Sequence, residues 1–188
     1  MQLHWSELAA RRSVPWWCLP LCDAVATDAS VLAAAMRQLE LKVPPLVVVA
    51  IGALLMWAVA RATPRLTLPY PGRVLVAAAL LISGIAVMLT GVLAFRKAST
   101  TVDPRFPENA AHVVSSGIYR YTRNPMYLGM LVVLIAWMAW LSNAGTIVIP
   151  ALFALYITRW QIVPEERALA EKFGAEYEGY CKSVRRWL

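Results

Sequence analysis

"NPMYLGMLVVLIAWMAWLSNAGTIVIPALFALYIT", residues 124–158, runs for 35 residues without a formal charge. As one α-helix rising about 1.5 Å per residue it would be roughly 50 Å long, far beyond the ~30 Å hydrocarbon core of a bilayer. The run must therefore fold back on itself. Residues 141–145, "LSNAG", supply the Ser, Asn and Gly that a turn prefers. That leaves one span near 125–141 and a second near 146–163. Pro150 falls early in the second, where it either kinks the helix or marks its first turn.

Upstream, "VPPLVVVAIGALLMWAVA" (43–60) and "VLVAAALLISGIAVMLTGVLAF" (74–95) contain no Asp, Glu, Lys or Arg. Each is near the roughly 20 residues that cross a bilayer as a helix. The whole chain is 60% hydrophobic and 15% charged, against about 45–50% and about 25% in soluble domains. These blocks predict an all-α polytopic membrane protein with four transmembrane helices. The net charge of +7 is then a topology signal, and no nucleic-acid partner is expected. With both termini cytoplasmic, only Arg61, Arg65 and Arg73 of the 18 basic residues lie outside, as the positive-inside rule favours.

Residues 1–35 fit no span and no signal peptide, because charged residues precede a short, Pro-interrupted apolar patch. They are given no function. Met36 opens a basic lead into the first span, and the working domain is expected to cover residues 36–188. Cys18 and Cys22 have no second Cys or His pair beside them and read as ordinary thiols. With Cys181 the only other cysteine, no disulfide framework is expected.

The chemistry must come from the polar segments on the cytoplasmic side. Residues 96–124, "RKASTTVDPRFPENAAHVVSSGIYRYTRN", carry Pro104, Pro107 and "SSG", so they form a long irregular loop whose length points to function. At its end Asn124 is placed to cap the third span and Pro125 to take its first helical position. A helix N-terminus beside Arg123 is also a site for a carboxylate or phosphate. In the tail, Leu169, Phe173, Tyr177, Tyr180 and Val184 recur at helical spacing and predict one amphipathic helix over 164–184. Glu165 and Glu166 follow Pro164, where a helix's first turn favours acids. They also need cationic partners so close to the membrane.

"SGIYRYTRNPMYLG" followed by "EERALAEKFGAEYEGY" resembles the isoprenylcysteine carboxyl methyltransferase and phospholipid methyltransferase group of integral membrane enzymes. In that group an Arg-His-Pro-x-Tyr-x-Gly motif opens one span and a Glu-Glu pair closes the next, together holding S-adenosylmethionine. The similarity covers residues 96–188 well, and the first two spans as hydropathy. It implies cofactor contacts from His112, Val113, Val114, Tyr119, Asn124, Pro125, Met126 and Tyr127, with Glu165 meeting the cofactor's amino group. Arg123 with the helix end offers an anion site, the tyrosines offer flat apolar surfaces, and Glu166 is the nearby candidate base for an amine acceptor.

Two positions depart from the group's pattern. Asn124 stands where the eukaryotic motif has His, which keeps hydrogen bonding and removes an acid or base. Gln161 stands where the eukaryotic carboxyl methyltransferases have a substrate-contacting arginine, and Arg159 is the nearby substitute, on another helical face. The resemblance implies transfer to a lipid-like or prenylated acceptor. The alternatives are phospholipid or amine N-methylation, a membrane NADPH-dependent reductase, for which no phosphate-cradling glycine cluster is present, and a non-enzymatic carrier.

Overall fold

A computed structural model describes residues 41–97 and 113–188. Among these residues the regular structure is helical, with one isolated bridge between Thr67 and Asn143. Helix α1 covers Pro45–Ala62 and α2 covers Arg73–Lys97. Helix α3 covers Pro125–Leu141, and α4 covers Val148–Ile157. A π-helical stretch, Thr158–Ile162, carries α4 without a break into α5, Val163–Phe173, and α6 spans Ala175–Ser183.

Four spans are expected from the sequence; among the described residues three helices meet the length and hydropathy that a crossing requires. They are Pro45–Ala62, Arg73–Lys97 and the continuous run Ala144–Phe173 of 30 residues. The apolar helix α3 is shorter, at 17 residues. Leu46, Leu54, Leu75, Ile82 and Leu155 all point outward and exposed. In water such a surface would be a large association patch; against lipid it costs nothing. The chain is an integral membrane protein.

The turn expected at 141–145 is present. Ser142 ends α3 in the left-handed region (φ 49°), and Asn143 organises the turn beyond it. Its Nδ2 donates to the Thr63 carbonyl at 2.8 Å, and its Oδ1 accepts from the Gly145 amide at 2.9 Å. The Leu68 amide donates to the Ser142 carbonyl at 2.7 Å. The connection between α1 and α2 is thereby tied to the α3–α4 turn at one end of the bundle, and buried polar groups there are partnered as they must be. Pro150 sits in the first turn of α4, which begins at Val148, and is buried.

Helices α2 and α3 approach very closely. Ala77, Gly84 and Gly91 are buried seven residues apart on α2, one stripe of a helix. A Cβ built on Gly84 would lie 2.8 Å from the Gly129 carbonyl oxygen, and one on Gly91 would lie 3.2 Å from Pro125 Cγ. Small residues let backbones meet where no hydrophobic effect drives helices together. Met56, Leu134, Ile149, Phe153, Ile157 and Ile162 form the core on the other side of α3. The indole N–H of Trp137 donates to the Ala53 carbonyl at 3.1 Å, tying α3 to α1.

The expected single tail helix over 164–184 is broken. Gly174 takes φ 52°, a conformation that favours glycine, and separates α5 from α6. Nor does a helix begin at Pro164. The run is continuous from residue 144, so no free N-terminal amides face Glu165 and Glu166, and the helix dipole does not account for them.

Candidate functional site

At the end of the bundle opposite the Asn143 turn, a partly open cavity with about 90 Å³ of water-accessible room lies between the end of α2, the start of α3, α5 and α6. Of the expected site residues, Val113, Val114, Tyr119, Arg123, Asn124, Met126, Tyr127, Glu165 and Glu166 line it. Phe95, Leu169, Tyr177 and Tyr180 complete the wall. Two motifs some forty residues apart thus meet because one helical hairpin returns the chain to its starting face. His112 lies outside the described residues. Pro125 takes the first position of α3 as expected, buried against Gly91 rather than lining the cavity.

The two acids have different partners. Glu165 accepts a hydrogen bond from the Tyr127 hydroxyl. Glu166 is gripped by guanidinium groups: Arg186 reaches it in bidentate fashion, Nε to Oε1 at 3.0 Å and Nη2 to Oε2 at 2.6 Å. Arg123 Nη1 lies 3.2 Å from Glu166 Oε1. Bidentate guanidinium–carboxylate pairs are among the stronger polar contacts. Arg123 Nη1 also donates to Cys181 Sγ at 2.6 Å. Its Nε is buried and has no hydrogen-bond partner among the described residues. A buried unpaired donor is costly.

The aromatic wall is ordered by its own contacts. Phe95 meets the Tyr119 ring edge to face, centroids 5.2 Å apart. The Tyr180 hydroxyl donates to the Tyr119 carbonyl at 2.7 Å. Burial, then the neighbouring Tyr180 and Glu165, push the Tyr119 phenol well above its usual range. Burial does the same at Tyr177 and Tyr180. All three therefore stay neutral, as apolar surfaces with a polar tip.

Asn124 does not cap α3 with its side chain. Its Nδ2 donates instead to the Arg186 carbonyl at 3.0 Å, while the Arg123 amide donates to the Arg185 carbonyl at 3.0 Å. The extreme C-terminal residues thus lie along the turn before α3. The sequence offered no signal for this, because a five-residue irregular segment has no periodicity.

Gln161 and Arg159 do not line the cavity. Gln161 is fully buried in the π-helical stretch, its Nε2 donating to the Val43 carbonyl at 2.8 Å and its Oε1 without a partner among the described residues. Arg159 lies over the Trp160 ring at 5.9 Å. Irregular helical turns of this kind recur at functional sites. Among the described residues no His, Cys, Asp or Glu cluster could hold a metal ion.

The family model described as phospholipid methyltransferase matches residues 72–176, from the start of α2 into α6. A protein from Haemophilus influenzae named only as uncharacterized is 46% identical over 63 residues, 34% of this chain and 100% of that one. No solved structure matches. The family match covers more than half of the 188 residues and contains the Arg123–Gly129 motif and the Glu165–Glu166 pair, so the chain belongs to the phospholipid methyltransferase family of integral membrane methyltransferases.

Proposed function

We propose that the protein transfers a methyl group from S-adenosylmethionine to a lipid-like acceptor at the cavity between α2, α3, α5 and α6. The observation that carries this reading is the convergence on one wall of an unpartnered Arg123 Nε, an acid at Glu165 and flat aromatic rings. Those features match the cofactor's carboxylate, ammonium and adenine. When bound, S-adenosylmethionine supplies an electrophilic methyl group on a sulfonium. Arg123 and Asn124 would hold the carboxylate end and Glu165 the ammonium. Val113, Val114, Tyr119, Met126 and Tyr127 would enclose the nucleoside, with His112 and Pro125 in the same segment. Enclosure by these side chains excludes water and fixes the line of attack, an effect worth roughly 7–11 kcal/mol when alignment is good.

The acceptor enters from the lipid, with α3 crossing as a fourth, shorter span. Arg159 is its proposed contact; Gln161, buried and donating to the Val43 carbonyl, holds the backbone beside it. A carboxylate acceptor, as in an isoprenylcysteine-type substrate, is already ionised and needs no base. A phospholipid amine, which the family's description favours, must first lose a proton, and Glu166 is the base proposed for that case. The basic residues at the ends of α2 and α5 support a cytoplasmic cavity with both termini on that side.

The detergent-purified protein is expected to gain thermal stability with S-adenosylhomocysteine and none with NADPH, since a ligand that binds the native state raises its apparent midpoint. A shift with NADPH alone would favour the reductase reading.

A further inference from the structure

We infer that Arg186, in the C-terminal segment beyond the matched family region, is a positioning residue. It occupies Glu166 so that Arg123 stays available to the cofactor's carboxylate. This rests on the cofactor reading above. Arg123 and Arg186 compete for one acid. Arg186 takes both Glu166 oxygens, at 3.0 and 2.6 Å, whereas Arg123 makes one longer contact at 3.2 Å through a single nitrogen. With Glu166 so engaged, the Arg123 guanidinium keeps a buried Nε with no partner among the described residues on the cavity wall.

The segment carrying Arg186 is held by main-chain contacts to the same turn. The Arg185 carbonyl accepts from the Arg123 amide at 3.0 Å, the Arg186 carbonyl accepts from Asn124 Nδ2 at 3.0 Å and from Thr122 Oγ1 at 3.4 Å, and the Trp187 indole donates to Thr158 Oγ1 at 3.2 Å. Arg186 is thereby delivered to Glu166 from a fixed backbone, with its side chain 39% exposed. Without it, Glu166 would be left with one cationic partner, and Arg123 would turn fully onto it. The anion site would close though every cavity-lining residue remained.

The test compares S-adenosylhomocysteine with 5′-methylthioadenosine, which has the nucleoside and sulfur but neither carboxylate nor amine, by calorimetry on purified full-length protein. Arg186→Gln should weaken S-adenosylhomocysteine binding on the order of tenfold to a hundredfold, the worth of a charge-assisted hydrogen bond, and leave 5′-methylthioadenosine binding unmoved. The double variant Glu166→Gln/Arg186→Gln should recover most of the lost affinity, because nothing then competes for Arg123; such coupling is what a double-mutant cycle measures. Unchanged affinity in Arg186→Gln overturns the inference. So does equal weakening toward both nucleosides with no recovery in the double variant, which would mean a collapsed site. If the parent binds neither nucleoside, the cofactor reading itself fails and takes this inference with it.

Discussion

Glu165→Gln is expected to weaken S-adenosylhomocysteine binding by roughly tenfold to a hundredfold while the protein still inserts and stays monodisperse. The substitution keeps the size of the side chain and a carbonyl oxygen for the Tyr127 hydroxyl, its partner at the bottom of the cavity. What it removes is the carboxyl group that would pair with the cofactor's ammonium, which no other group on that wall can replace. Glu166 is held by Arg186 and Arg123, so its charge is already balanced. Arg123→Ala should weaken binding in parallel, by opening the carboxylate end and leaving Glu166 with one partner. Calorimetry on the two single variants and the pair checks this. Parent-like affinity in the pair would remove both residues from the cofactor site.

Gly129→Val should destabilise the fold by about 3 kcal/mol or more, more than most single changes. A Cβ at Gly129 would lie 2.5 Å from the Gly84 carbonyl oxygen and 3.0 Å from the Met88 amide nitrogen. Neither is the end of a flexible side chain, so α2 and α3 must part. That would also displace Phe95 and Tyr127, which lie on the two helices at the cavity. Gly179→Ala in α6 is the control, since a Cβ there meets nothing within 4 Å and alanine favours a helix. Thermal unfolding in detergent should show a large loss for the first and little change for the second. Equal midpoints would mean that α2 and α3 do not pack as described.

The hairpin and the cavity's two motifs were legible because both rest on local chemistry. A charge-free run too long for one span must turn, and Ser142 and Asn143 are residues that turn. Arg123, Tyr127 and Glu165 could be grouped once the hairpin returned the chain to its starting face. What could not be read depends on long-range geometry or on one dihedral angle. Gly174 broke the amphipathic tail helix although the apolar spacing ran straight through it. Asn124 had the composition of a cap and found a better acceptor in the Arg186 carbonyl, a partner no spacing rule reaches. The seven-residue stripe on α2 was visible in "AAALLISGIAVMLTG" (77–91) only after Gly129 was known to face it. The π-helical turn at Thr158–Ile162 has no composition of its own.

The proposed reaction is methyl transfer to a lipid-soluble acceptor from a cofactor held by Glu165 and Arg123. Membranes carrying the protein, incubated with methyl-labelled S-adenosylmethionine and extracted with organic solvent, test it most directly. Label is expected in the extracted lipid fraction with the parent, and loss of that label with Glu165→Gln at matched protein level. Base-labile label would identify an ester and base-stable label an N-methyl product. Equal labelling by Glu165→Gln, or label confined to the water-soluble fraction, would contradict it.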